Sequence, residues 1–90
     1  MKVSDFGLGY VGCITAACLA NEGHRVIGVD INPAKVQTIQ AGSSPISEPG
    51  LAEMVGKAVA NRRLSATTEA AEAVLATDIS TVSYTHLRAH

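Results

Sequence analysis

Six residues near the amino terminus, Gly7-Leu8-Gly9-Tyr10-Val11-Gly12, limit what this chain can fold into more than anything else in it. They follow Lys2 to Phe6, which reads as a short strand, and they open Tyr10 to Asn21, where Val11, Ile14, Cys18 and Leu19 recur at helical spacing. Gly23 closes that helix as a C-terminal cap. Arg25 to Asp30 is then a β-branched strand ending in a carboxylate. A lone glycine triplet is weak evidence, because three glycines align easily by chance. Placed between a strand and a helix, each glycine does something different. Gly7 permits the tight turn, Gly9 lets the backbone approach a ligand, and Gly12 lets helix and strand pack closely.

The ligand that such a turn suits is a pyrophosphate, held by the unpaired N–H groups and the positive dipole end of the helix. Asp30 stands eighteen residues after Gly12, at the end of the second strand. A carboxylate there accepts from adenosine ribose hydroxyls and repels a 2′-phosphate, so NAD is favoured over NADP. Lys35, one helical turn on, can reach the same ribose, although alone it reads more simply as a solvated helix residue. The plainer reading has the glycines only turning the chain and Asp30 only ending a strand. It requires strand, turn, helix, strand and acid to fall in register by accident.

The remaining chain continues the alternation. Asn32 followed by Pro33 marks a capped helix start, and that helix runs to about Ala41, where Gly42 stops it. Residues 42–50 form a loop by their Pro, Gly and Ser content. Leu51 to Asn61 is helical through Leu51, Met54, Val55 and Val59; Leu64 to Thr67 is a short strand; Thr68 caps a last helix to Leu75; and strand character returns at about 78–83. This order predicts an incomplete Rossmann-type, doubly wound α/β fold on a parallel sheet.

Ninety residues make one small domain, and 47 % hydrophobic content, mostly Ala, Val, Leu and Ile, is that of a folded chain. Seven basic against eight acidic residues leave a net charge of −1, which gives no electrostatic case for nucleic acid or an anionic membrane. Without an apolar signal segment or a run of about 18 apolar residues, a cytoplasmic protein is expected. Cys13 and Cys18 fit no zinc spacing and are both expected to be small buried residues. His24, His86 and His90 form no cluster, so no metal is expected, and no nucleophile-and-base constellation is visible.

Phe6 to Gly12 resembles the UDP-glucose/GDP-mannose dehydrogenase family. The likeness runs on through Gly23-His24, Val26 to Asp30 and Lys35. It is most specific at Ser44-Pro45-Ile46-Ser47-Glu48-Pro49-Gly50-Leu51, and it continues through Arg63 to Thr68, Ala73 to Leu75 and Asp78 to Ser80. Within the family it is closest to the GDP-mannose-oxidising branch. The resemblance implies a parent enzyme that oxidises the C6 hydroxyl of a nucleotide sugar to a carboxylate in two NAD-dependent steps, working as a homo-oligomer. It carries NAD contacts onto Tyr10, Val11, Asp30 and Lys35, beside the turn residues Gly7, Leu8, Gly9 and Gly12. The family's catalytic Cys, Lys and Asn fall beyond residue 90, so neither Cys13 nor Cys18 is the nucleophile, and these ninety residues are expected to be inactive alone. Glu48 lies in the specific loop and is given no role. Another NAD-dependent dehydrogenase, such as a hydroxyacyl-CoA type, or a non-catalytic NAD-sensing module would share the glycine turn; the Ser-Pro-Ile loop argues against the former.

Two departures stand out. Asp5 occupies a central-strand position where the family carries an aliphatic residue; a buried, unpaired carboxylate there would be costly, shifting its pKa upward or loosening the strand. After Ser80, Val82 to His90 back-translates with ordinary codons to GTCTCTTATACACATCTCCGAGCCCAC, a transposase adapter of sequencing libraries. Residues 1–81 are therefore expected to be the native cofactor-binding segment and 82–90 a non-native tail.

Overall fold

A computed structural model describes residues 1–82. Its elements are β1 (Lys2–Phe6), α1 (Tyr10–Asn21), β2 (Arg25–Val29), α2 (Pro33–Gln40), α3 (Leu51–Ala60), β3 (Leu64–Thr67), α4 (Ala70–Ala76) and β4 (Ile79–Val82). All strand pairs are parallel, in the order β3-β2-β1-β4. The chain steps outward from β1 to β3, then crosses to the far side of β1. That reversal makes the sheet doubly wound and marks the strand ends where such folds take ligands.

In register, Val3, Val26 and Leu64 share one face with Asp5, Gly28 and Ala66. Against that face α1, α2 and α3 pack a core of Leu8, Cys13, Ile39, Val55 and the alanines of α1. The apolar residues that gave α1 its periodicity are not its contact face. The buried stripe is Gly12, Cys13, Ala16, Ala17 and Ala20, while Val11 is exposed and Ile14 and Leu19 are half-buried. Small residues let α1 lie close to the strands, and the larger ones fill its flanks. For the same reason Cys18 is exposed, contrary to expectation; only Cys13 is buried. Cys18 follows Ala17 by one residue, about 100° further around the helix and outside the stripe.

Three helices end alike. After α1 the His24 N–H donates to Leu19 O (3.2 Å) and Gly23 N–H to Ala20 O (3.1 Å), with Gly23 left-handed at φ +102°. Gly42 does the same after α2 at φ +80°, and Arg62 after α3 at φ +60°. Asn32 caps α2 as expected, its side chain accepting from the Ala34 N–H at 2.9 Å. Thr68 does not cap the last helix. Thr67 Oγ1 accepts the Glu69 N–H at 3.0 Å instead, and α4 starts at Ala70 with Glu69 as its N-cap. The strand ends β2 and β4 fall at Val29 and Val82, inside the expected limits of Asp30 and 83. The expected tail, from 83 onward, lies outside the described residues.

Two polar side chains of β1 are fully buried, with opposite outcomes. Ser4 faces the α4 side, where its Oγ meets Ser80 Oγ at 2.7 Å and accepts from Thr77 Oγ1 at 3.0 Å. Asp5 faces the α1 side, and neither carboxylate oxygen has a hydrogen-bond partner among the described residues. Burial pushes its pKa up from 3.8 to about 7.

Candidate cofactor site

The glycine turn leaves β1 at Gly7, whose φ of +94° strongly favours glycine and whose N–H donates to Val29 O at 2.8 Å. Leu8 drops back into the core and is fully buried, contributing about 1.5–3 kcal/mol by burial. It fits because residue 28 has no side chain: a Cβ there would lie 2.8 Å from Leu8 Cδ2. The Leu8 N–H donates to Asp30 Oδ2 at 2.8 Å, and Asp30 Oδ1 accepts the Asn32 N–H at 2.9 Å. Asp30 is thus fixed between the turn and the start of α2. A carboxylate has about four acceptor positions, so two remain open.

Gly9 is the N-cap of α1 and offers no side-chain cap, and the first turn of α1 carries no acid. The opening N–H groups of α1 are therefore open to an outside anion. A Cβ built on Gly9 would meet nothing within 4 Å, so the space beside it is empty of protein. Next to it a cavity of about 240 Å³ opens at the carboxyl ends of β1 and β2, lined by Phe6, Gly7, Asp30, Ile31, Thr68 and Ala70. Ile31 is 94 % exposed at this cavity, an apolar surface against which a flat base can lie.

Tyr10 and Val11 are exposed at the start of α1. The Tyr10 hydroxyl donates to Glu48 Oε1 at 3.2 Å, tying the turn to the Ser-Pro-Ile loop. That hydrogen bond and the Glu48 charge hold the phenol above its ordinary pKa. Gly12 is buried within α1, and Lys35 is half-buried on the first turn of α2. The Lys35 charge acts on the Cys13 thiol and lowers its pKa a little. Burial, with Asp5 and Asp30 nearby, nonetheless pushes that thiol up to about 11, which leaves it a poor nucleophile. The structure therefore brings Gly7, Gly9, Tyr10, Val11, Gly12, Asp30 and Lys35 to one end of the sheet. Leu8 shares the turn, but its side chain serves the core and its N–H serves Asp30. Among the described residues no cluster of three metal-ligating side chains occurs.

Ile31, Thr68 and Gly28 were given no part in the cofactor site by the sequence. The first two follow strand ends, so the doubly wound topology itself was the signal for them. Gly28 had a local signal, a glycine inside an otherwise β-branched strand.

Residues 1–85 match the NAD binding domain of the UDP-glucose/GDP-mannose dehydrogenase family. The chain belongs to that family. The GDP-mannose 6-dehydrogenase of Azotobacter vinelandii is 54 % identical over 80 residues, covering 89 % of this chain and 18 % of that protein. A UDP-glucose 6-dehydrogenase of Bacillus subtilis is 40 % identical over 78 residues, covering 87 % and 17 %. Among solved structures, a ternary complex of GDP-mannose dehydrogenase from Pseudomonas aeruginosa superposes with a TM-score of 0.92 at 46 % identity, over 93 % of this chain and 19 % of that one. The chain thus spans under a fifth of the length of these relatives.

Proposed function

We propose that this chain is the NAD-binding segment of a nucleotide-sugar 6-dehydrogenase whose substrate is GDP-mannose, oxidised at C6 to the uronate. The observation that carries the cofactor reading is the uncapped, acid-free start of α1 beside Gly9, with Asp30 fixed by the Leu8 N–H of the same turn. In this reading the N–H groups of Tyr10, Val11 and Gly12 hold the pyrophosphate. Asp30 accepts from the adenosine ribose through its open positions, Lys35 approaches the same ribose, and Ile31 and Thr68 flank the base. When bound, NAD supplies the hydride acceptor; these residues only hold and orient it. The substrate residues and the catalytic Cys, Lys and Asn belong to the parent enzyme beyond residue 90. Residues 1–81 form the cofactor segment and 82–90 the adapter-derived tail, and the parent is a cytoplasmic homo-oligomer that supplies uronate units for polysaccharide.

The identity to GDP-mannose 6-dehydrogenases, 54 % against 40 % for a UDP-glucose enzyme, favours the mannose sugar. The test is NADH production by the full-length parent with each nucleotide sugar, beside titration of NAD and NADP into wild type and Asp30→Ala. Turnover of GDP-mannose, weakened NAD binding and relaxed discrimination against NADP in the variant are expected. Turnover of UDP-glucose alone would move the substrate, and unchanged affinities would remove Asp30 from the site.

A further inference from the structure

We propose a second binding site, for a small polyvalent oxyanion of the phosphate class, at the amino ends of the strands, the edge of the sheet opposite Asp30. A cavity of about 260 Å³ opens there, lined by Lys2, Arg25, Arg62, Arg63, Ser65 and Thr77 among others. Lys2 and Arg25 begin β1 and β2, while Arg62 and Arg63 immediately precede β3, so the topology alone gathers them. Four of the chain's seven basic residues line this one cavity, although the whole chain carries a net charge of −1. Lys57 adds a fifth in an adjoining cavity that shares Arg63. Among the described residues no carboxylate lines the larger cavity; Asp78, close by, accepts the Lys2 backbone N–H at 3.1 Å through Oδ2.

The backbone supplies an independent argument. The ends of α1 and α2 place glycine at the left-handed position, and α3 places Arg62 there at φ +60°. A side chain in that conformation is strained relative to glycine. The same hydrogen-bonded helix end is made twice in this chain without that cost, and the third keeps a guanidinium at the cavity. Arg63 is held in place by its own bond to Gly23 O at 2.6 Å, which leaves most of its five donors unused. Cations held close together with no lining acid repel one another until an anion neutralises them, and planar guanidinium forks match a tetrahedral oxyanion. The cavity, about 260 Å³ and open on one side, has room for a phosphate or a diphosphate.

The experiment is titration of inorganic pyrophosphate into the full 90-residue chain at fixed ionic strength, read by the backbone amide shifts of each residue. Saturable shifts at Lys2, Arg25, Arg63 and Ser65 are expected. Arg62→Gly relieves the backbone strain, so it should raise the unfolding midpoint while weakening pyrophosphate about tenfold, as one lost charge-assisted bond does. Arg25→Gln should weaken it similarly. Shifts confined to Gly9 through Gly12 would assign the anion to the other edge and overturn the proposal. Shifts that never saturate, or an Arg62→Gly variant that binds equally well, would overturn it too.

Discussion

Replacing Asp5 with Val should stabilise the domain at every pH, in acid by the cost of one buried unpaired neutral carboxyl and by far more from neutral pH upward. The carboxylate is fully buried, neither oxygen has a partner among the described residues, and its pKa rises from 3.8 to about 7 on folding. Because the folded pKa is the higher one, the folded state binds the proton more tightly. Stability is fully present below about pH 4 and is lost as pH rises through about 7, after which it levels off. At about 1.4 kcal/mol per pH unit, that window removes about 4 kcal/mol. A domain of this size has roughly 5–13 kcal/mol in all, so the loss is a large share of it. The groups that share this region, the Cys13 thiol on α1, neutral throughout this range, and the Lys35 and Asp30 charges that act on that thiol, remain in the variant. Subtracting the two pH profiles therefore isolates Asp5. Urea unfolding followed by far-UV circular dichroism, from about pH 4 to about pH 8.5, spans the window and measures both. The wild type should lose stability relative to Asp5→Val along that slope, reaching a difference of about 4 kcal/mol or more at about pH 8. Asp5→Asn should flatten the profile yet stay less stable than Val, since its amide is still unpaired. Parallel profiles for wild type and Asp5→Val would refute the reasoning, because they would show that the carboxylate has found solvent or a partner.

Gly9→Val should cut NAD affinity in the parent enzyme at least about tenfold while leaving far-UV dichroism unchanged, because the added atoms meet no protein and stand in the ligand's space; normal binding would remove the turn from the site. In the native chain at about pH 8, a thiol reagent should modify Cys18 quickly and spare Cys13, which is buried with a pKa of about 11, until denaturant is added; equal rates would contradict the packing of α1.

The element order, the parallel sheet and the cofactor edge were legible because they rest on local signals: strand, glycine turn, helix, acid. The cost of Asp5 was legible from its central-strand position, but whether it raised the pKa or loosened the strand was not; the strand keeps its pairing and the pKa rises. What escaped depended on which side of an element touches what. Periodicity through Val11, Ile14, Cys18 and Leu19 identified a helix but not its buried stripe, which is the Ala and Gly side that packs closest. Thr68 had the chemistry of a cap, but α4 starts later, with Glu69 at the N-cap, and the Glu69 N–H is met by Thr67 at the strand end. Gly28 and the cationic edge needed three-dimensional neighbours, Leu8 in one case and three strand starts in the other.

The fit of Leu8 over Gly28 has an evolutionary consequence. A side chain at 28 forces the Leu8 methyls to shift within a packed core, so Gly28→Ala alone harms the packing beneath the glycine turn. Shortening Leu8 alone leaves a void. Made together, the two changes restore the fit, so each is harmful only in the other's absence. Lineages can exchange this pair for another only by passing through a poorer intermediate. The two positions, twenty residues apart, should therefore drift as one unit.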